Sequence, residues 1–310
     1  MSLISVIATH FGESMKALNN FEKTVLDVQS FRFTALAAGP VDGELVLFLH
    51  GFPEFADAWL DVMRPIAQAG FRAVAVDQRG YSPEARPQEV KDYAIEQLIS
   101  DVQGFVNALG CRRFHLVGHD WGALLAWEFA AKHPDRLQSL SALSTPHPDA
   151  FFNAIEADED QKQRSRYISL FRMPGGVAES LLQGDDYQRL RGVYQGKLPE
   201  SAIRENIRRP AEPGILTSAL NWYRALNLEV RIGKIRVPTL YIWGSQDLAL
   251  GATAAIETAG YVTGPYRFEK LEGRSHWLLG NPRPSLGVSV GTYTRQSRSL
   301  EWPLWGCIWM

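Results

Sequence analysis

The stretch Leu116–Ala130, LVGHDWGALLAWEFA, decides the reading of the whole chain. A strand-like run, FHLVGH, ends on Gly118-His119-Asp120-Trp121-Gly122, and a helical pattern starts at once. Glycine, any residue, nucleophile, any residue, glycine is the spacing of a sharp strand-to-helix turn that lifts one side chain clear of a sheet. Its central slot, commonly serine, holds Asp120. A helix N-terminus favours an anion, so this carboxylate is expected to stay ionised at neutral pH. Aspartate is also a common helix cap. A cap needs no close approach on both sides, however, and the two flanking glycines favour a nucleophile.

Moving outward, strand-like runs alternate with helical ones. ELVLFLHG, FRAVAVDQRG, FHLVGHD, LQSLSALS, PTLYIWG and YRFEKLEG are short, apolar and bounded by glycine, proline or charge. Several are continuous rather than alternating, as in parallel strands buried on both faces. Between the second and third, Ile95, Leu98, Ile99, Val102, Phe105, Val106 and Leu109 recur at helical spacing, with Asp92 expected as N-cap and Gly110 as stop. The pattern predicts an α/β protein with a doubly wound, mostly parallel sheet.

After Pro146 the rhythm breaks. Residues 147–231 read as helices and loops with turn signals at MPGG, QGDD and RPAEPG, and strand logic resumes at Val237. The middle is expected to be a helical cap inserted into one α/β core (23–146 and 232–282), above the carboxyl ends of the strands. Residues 1–22 read as an N-terminal extension and 283–310 as an atypical tail. Beyond Asn281 the chain has three tryptophans, scattered glycines and no helical period, where such a domain closes with an amphipathic helix.

Composition excludes several classes. An apolar fraction of 45% and a charged fraction of 21% are those of a soluble globular protein. A net charge of −2 offers no electrostatic case for nucleic acid or an acidic membrane. No window of about 18 apolar residues suggests a membrane span, and the N-terminus lacks the basic region of a signal peptide. Cys111 and Cys307 make neither a disulfide framework nor a metal-binding spacing. The histidines are scattered, so no metal is expected, and a cytoplasmic setting is the default.

Asp120 has two candidate partners. In YIWGSQDLAL, Asp247 follows a strand end, and in GRSHWLLG, His276 follows the last strand. Taken singly, each would pass for a turn residue or a surface histidine. Together with Asp120 they follow the chain order nucleophile, acid, histidine of α/β-hydrolases. In LFLHGFPEFADAW, His50-Gly51-Phe52-Pro53 directly follows a strand. There the fold supplies one oxyanion-hole N–H from the loop and another from the residue after the nucleophile, here Phe52 and Trp121. His50, Pro53 and Trp121 are candidate substrate contacts. The DQRGYS segment, Asp77–Ser82, is expected to shape the sheet edge without a reaction role.

HGFP, GHDWG, the late Asp247 and the late SHW resemble epoxide hydrolases of the α/β-hydrolase fold, over roughly residues 25–280. The resemblance takes in two cap segments, RYISLFRMPGGVAE with Tyr167 and ALNWYRA with Tyr223. It implies that these two phenols donate hydrogen bonds to the epoxide oxygen. It further implies catalysis by Asp120, His276, Asp247, Tyr167 and Tyr223, with no cofactor. The expected partners are a small apolar epoxide and water, and a homodimer is one open assembly.

A carboxylate suits such a target. An epoxide carbon is saturated and must be displaced from behind, which an ionised Asp120 can do without a base, leaving an ester on its own side chain. The nearest rival is a haloalkane dehalogenase, with Trp121 as halide donor. It gives no reason for two cap tyrosines, and Phe52 stands where dehalogenases resemble one another in carrying a polar residue. A ligand binder of the same fold, or a disabled copy, is a second alternative, since fold does not imply function.

Overall fold

The computed structural model describes residues 21–194 and 196–279, together with the backbone of 291–294. Nearly all of the expected N-terminal extension, and the tail apart from that short strand, lie outside the described residues.

All six expected strands form: β3 (Leu45–Leu49), β4 (Arg72–Val76), β5 (Phe114–His119), β6 (Leu137–Leu143), β7 (Thr239–Gly244) and β8 (Tyr266–Leu271). They lie side by side and parallel in the order β4-β3-β5-β6-β7-β8. Strand β3 is buried throughout. Its Val46 and Phe48 belong to one core cluster and its Leu45, Leu47 and Leu49 to the other, so it feeds both faces of the sheet. That two-sided burial is why these strands read as unbroken apolar runs.

Three further strands extend this sheet. β1 (Glu22–Val28) and β2 (Phe31–Ala38) form an antiparallel hairpin that joins the sheet beside β4. Their connection is Gln29-Ser30 with Gln29 at a φ of 53°, so it carries none of the Asn-Gly or glycine chemistry that marks tight hairpins. At the other edge, β9 (Gly291–Thr294) pairs antiparallel with β8.

The helices follow the strands. α1 (Leu60–Gln68) covers one face, and α2 (Ile95–Ala108) and α3 (Trp121–Lys132) cover the other. Asp92 does not cap α2. It lies in a short 3₁₀ turn, Val90–Tyr93, and Ala94 stands at the N-cap with no side-chain bond. Gly110 does end the helix, at a φ of 69°.

Between β6 and β7 the described chain is helical: α4 (Pro148–Ala157), α5 (Glu159–Arg164), α6 (Arg166–Phe171), α7 (Val177–Val193), α8 (Glu200–Arg208) and α9 (Ile215–Ala225). α7 is two helical pieces joined across Gly184–Tyr187. α4 packs on the core helix α10 (Ala252–Glu257), and Asn153 bonds the Tyr261 hydroxyl at 2.8 Å. α9 packs against α6 and α7, which brings the two tyrosine-bearing segments together. Among the described residues, no helix is long and apolar enough to cross a membrane.

Candidate active site

Asp120 sits between β5 and α3 at φ 52° and ψ −117°, a backbone conformation that is rare for a side-chain-bearing residue. Such strain persists where the surroundings impose it. Here the flanking glycines allow it: a Cβ on Gly118 would lie 2.2 Å from the Gly122 carbonyl oxygen. Gly51 is pressed equally close, because a Cβ there would meet the Asp120 Cβ at 2.3 Å.

The two oxygens of Asp120 face different partners. Oδ1 accepts a hydrogen bond from the Phe52 amide at 2.8 Å. Oδ2 lies 3.4 Å from His276 Nε2. His276 Nδ1 is in turn 2.8 Å from Asp247 Oδ2. Asp247 is buried, and its Oδ1 accepts from the amides of Ala249 and Leu250 at 2.8 and 3.0 Å. The loops after β5, β7 and β8 thus bring three distant residues into one line. Trp121 opens α3, where first-turn amides have no partner within the helix.

The charges are tuned by that line. Burial pushes the Asp120 carboxyl up, but the hydrogen bond and charge of His276, with help from His119 and the Phe52 amide, outweigh it and hold it below the usual aspartate value. Burial likewise opposes charge on His276, yet Asp247 and Asp120 together raise its pKa well above the ordinary histidine range. In the resting protein the pair is therefore carboxylate and imidazolium.

An aromatic roof closes over these groups. Tyr223 is buried, with its ring edge-to-face against Trp121 at 4.8 Å and Phe52 at 5.6 Å. Tyr167 is half-buried, 6.2 Å from the Tyr223 ring. Phe171, one helical turn on from Tyr167, fills the space between the two at 5.3 and 5.0 Å. Burial, then the nearby Asp120 carboxylate, raises both phenols above the usual tyrosine value, so both are hydroxyl donors at neutral pH.

His50 and Pro53 are placed differently. His50 is fully buried, its Nδ1 3.0 Å from the Gly51 carbonyl oxygen and its Nε2 accepting from the Gln78 amide at 3.2 Å. Burial lowers its pKa, so it is neutral with no ring nitrogen left for a ligand. It fixes the loop that carries Phe52. Pro53 follows a cis peptide bond, and its carbonyl accepts from the Tyr194 hydroxyl at 3.4 Å.

Three neighbours escaped sequence reasoning. Phe171 lies inside one of the quoted cap segments, where only packing shows its use. His119 and Ser144 hold the His276 main-chain carbonyl, at 2.9 and 2.8 Å, and so fix the histidine from behind. His119 stands inside the elbow pentapeptide, and a buried polar residue there was the available signal.

A family profile described as alpha/beta hydrolase fold matches residues 44–281. Epoxide hydrolase 3 of Xenopus tropicalis is 36% identical over 259 residues, covering 80% of this chain and 70% of its own. Epoxide hydrolase A of Mycobacterium tuberculosis is 31% identical, with 82% and 91% covered. Among solved structures, an epoxide hydrolase of Bacillus megaterium in complex with an inhibitor superposes with a TM-score of 0.75 at 28% identity, over 83% of this chain and 94% of that one.

Proposed function

The chain belongs to the alpha/beta hydrolase fold family, among its epoxide hydrolases, and from that premise we propose that it opens an apolar epoxide to a vicinal diol through an ester on Asp120. One observation carries the covalent reading: Oδ1 already occupies the Phe52 amide, which leaves Oδ2, facing His276 at 3.4 Å, as the nucleophilic oxygen.

Oδ2 attacks an epoxide carbon from behind, and the carbon–oxygen bond of the ring breaks. Tyr167 and Tyr223 hydrogen-bond the developing alkoxide and supply its proton, a general-acid contribution of about 10²–10⁴-fold. Esterification removes the anion facing His276. Its pKa falls, its Nε2 proton passes to the phenolate left by ring opening, and the neutral imidazole, still oriented by Asp247, can take a proton from water. The water attacks Cγ of the ester, the negative charge gathers on Oδ1, and the amides of Phe52 and Trp121 receive it. The Cγ–Oδ2 bond then breaks, and Oδ2 leaves as a hydroxyl of the diol, taking the proton that His276 accepted from water. Trp121 and the aromatic roof favour an apolar substituent on the substrate.

The atom count supplies the test. A single turnover of a small aryl epoxide in ¹⁸O-water should give unlabelled diol and put the label in the Asp120 carboxylate. Asp120→Ala should form neither ester nor diol. Label in the diol on the first turnover would eliminate the ester and leave direct attack by water. A folded protein that produces no diol would overturn the epoxide reading for aryl substrates and favour a dehalogenase or a binder.

A further inference from the structure

One guanidinium on the helical insertion contacts the loop after Phe52 at two residues, and reaches the residue between them through a carboxylate. Arg209, at the end of α8, places its Cζ 3.5 Å over the ring of Phe55. Its Nη1 lies 3.4 Å from Asp57 Oδ1. Its Nη2 donates to Asp77 Oδ2 at 2.7 Å, and the other oxygen of Asp77 accepts the amide of Ala56, also at 2.7 Å. Phe55, Ala56 and Asp57 are therefore all addressed, Ala56 through Asp77. They open the 3₁₀ turn Ala56–Trp59, directly after the segment that presents the Phe52 amide to Asp120.

The electrostatics make this contact structural for the loop. Burial raises the Asp57 carboxyl, Arg209 opposes that, and repulsion from Asp77 adds to the rise. Arg209 is itself only about a fifth exposed, so its charge is poorly screened by solvent. Its planar fork can serve two carboxylates and stack on a ring at once, which a lysine ammonium cannot do.

We infer that Arg209 is a positioning residue that clamps the oxyanion loop to the insertion and so sets the Phe52 amide for the ester-breaking step. The inference rests on the ester mechanism proposed above. Ring opening draws charge away from the carboxylate that the Phe52 amide holds, whereas hydrolysis builds charge on Oδ1 beside that amide. Loosening the clamp should therefore slow the second half-reaction more than the first. A small misplacement of a catalytic group is enough to cost about tenfold or more.

The test compares full-length wild type with Arg209→Gln and Arg209→Lys. It combines hydrogen exchange of residues 51–59 with rapid-quench mass spectrometry of the ester. The expected result is faster exchange confined to that segment and ester breakdown slowed about tenfold in Arg209→Gln, with ester formation retained and Arg209→Lys between the two. Arg208→Gln, on the exposed Glu205 pair, should behave as wild type. Unchanged exchange at 51–59, or equal losses in both half-reactions, would overturn the clamp. If wild type forms no ester at all, the mechanism above fails, and the exchange data still decide whether Arg209 holds the loop.

Discussion

Gly122 touches Leu49 so closely that a Cβ on the glycine would fall 2.1 Å from the Leu49 carbonyl oxygen. The elbow turn is thus set by contact between the first turn of α3 and the end of β3. Gly122→Ala should force the two apart, destabilise the protein by about 1–3 kcal/mol through overpacking and displace Asp120. Urea unfolding and diol formation measured on the same preparation check this. A variant with wild-type stability would show that the helix can shift freely.

The two phenols can be separated from the triad kinetically. Tyr167→Phe and Tyr223→Phe each remove one donor to the developing alkoxide and should slow ester formation about 10²–10³-fold, the usual cost of one such donor. Breakdown of ester already formed should be little affected. Rapid-quench detection of the alkylated protein distinguishes the steps, and equal slowing of both would assign the tyrosines another role.

The charge state of His276 depends on its neighbours. Burial disfavours the imidazolium, and Asp247 and Asp120 outweigh it. Asp120→Ala should therefore lower the pKa of His276, as ¹⁵N NMR of the imidazole would show. The linked stability has a definite sign. A raised folded value means that stabilisation by the charged form is fully present below the unfolded histidine pKa, about 6.5, and is lost as pH rises through the folded value. That dependence should weaken in Asp120→Ala, and an unaltered titration would disconnect the two residues.

Glu128, buried in α3, has its carboxyl raised from 4.5 to about 6 by burial, against the pull of Lys132 at 3.7 Å. Its neutral form is favoured in the folded protein. The associated stability is complete below pH 4.5 and lost as pH rises through about 6. Glu128→Gln should be more stable than wild type by about 1–2 kcal/mol at pH 7.5 and no different at pH 4. Thermal melts at the two pH values decide it, and a pH-independent difference would point to packing.

The elbow and the central strands were legible because their physics is local. Five contiguous residues hold the nucleophile and both close approaches, and burial on two faces writes itself as an apolar run. The hairpin β1–β2 was not, because Gln29 takes an unusual backbone angle without the residue type that signals it. The loop-holding role of His50 was hidden because its partners are backbone groups, at Gly51 and Gln78, that no side-chain pattern displays. Arg209 was invisible for a different reason. Its carboxylate partner Asp77 is 132 residues away, and an arginine in a polar stretch reads as a solvated surface.

The connectivity between β6 and β7 has an evolutionary consequence. A single splice from Leu143 to Thr239 would remove both phenols and Arg209, with Ser144 behind His276, while Asp120, Asp247 and His276 stay on the retained chain. On the proposed mechanism, ring-opening acidity and hydrolytic power reside on different stretches of chain. On that reading, a lineage could trade one leaving group for another by replacing the inserted helices, without rebuilding the sheet that carries Asp120, Asp247 and His276.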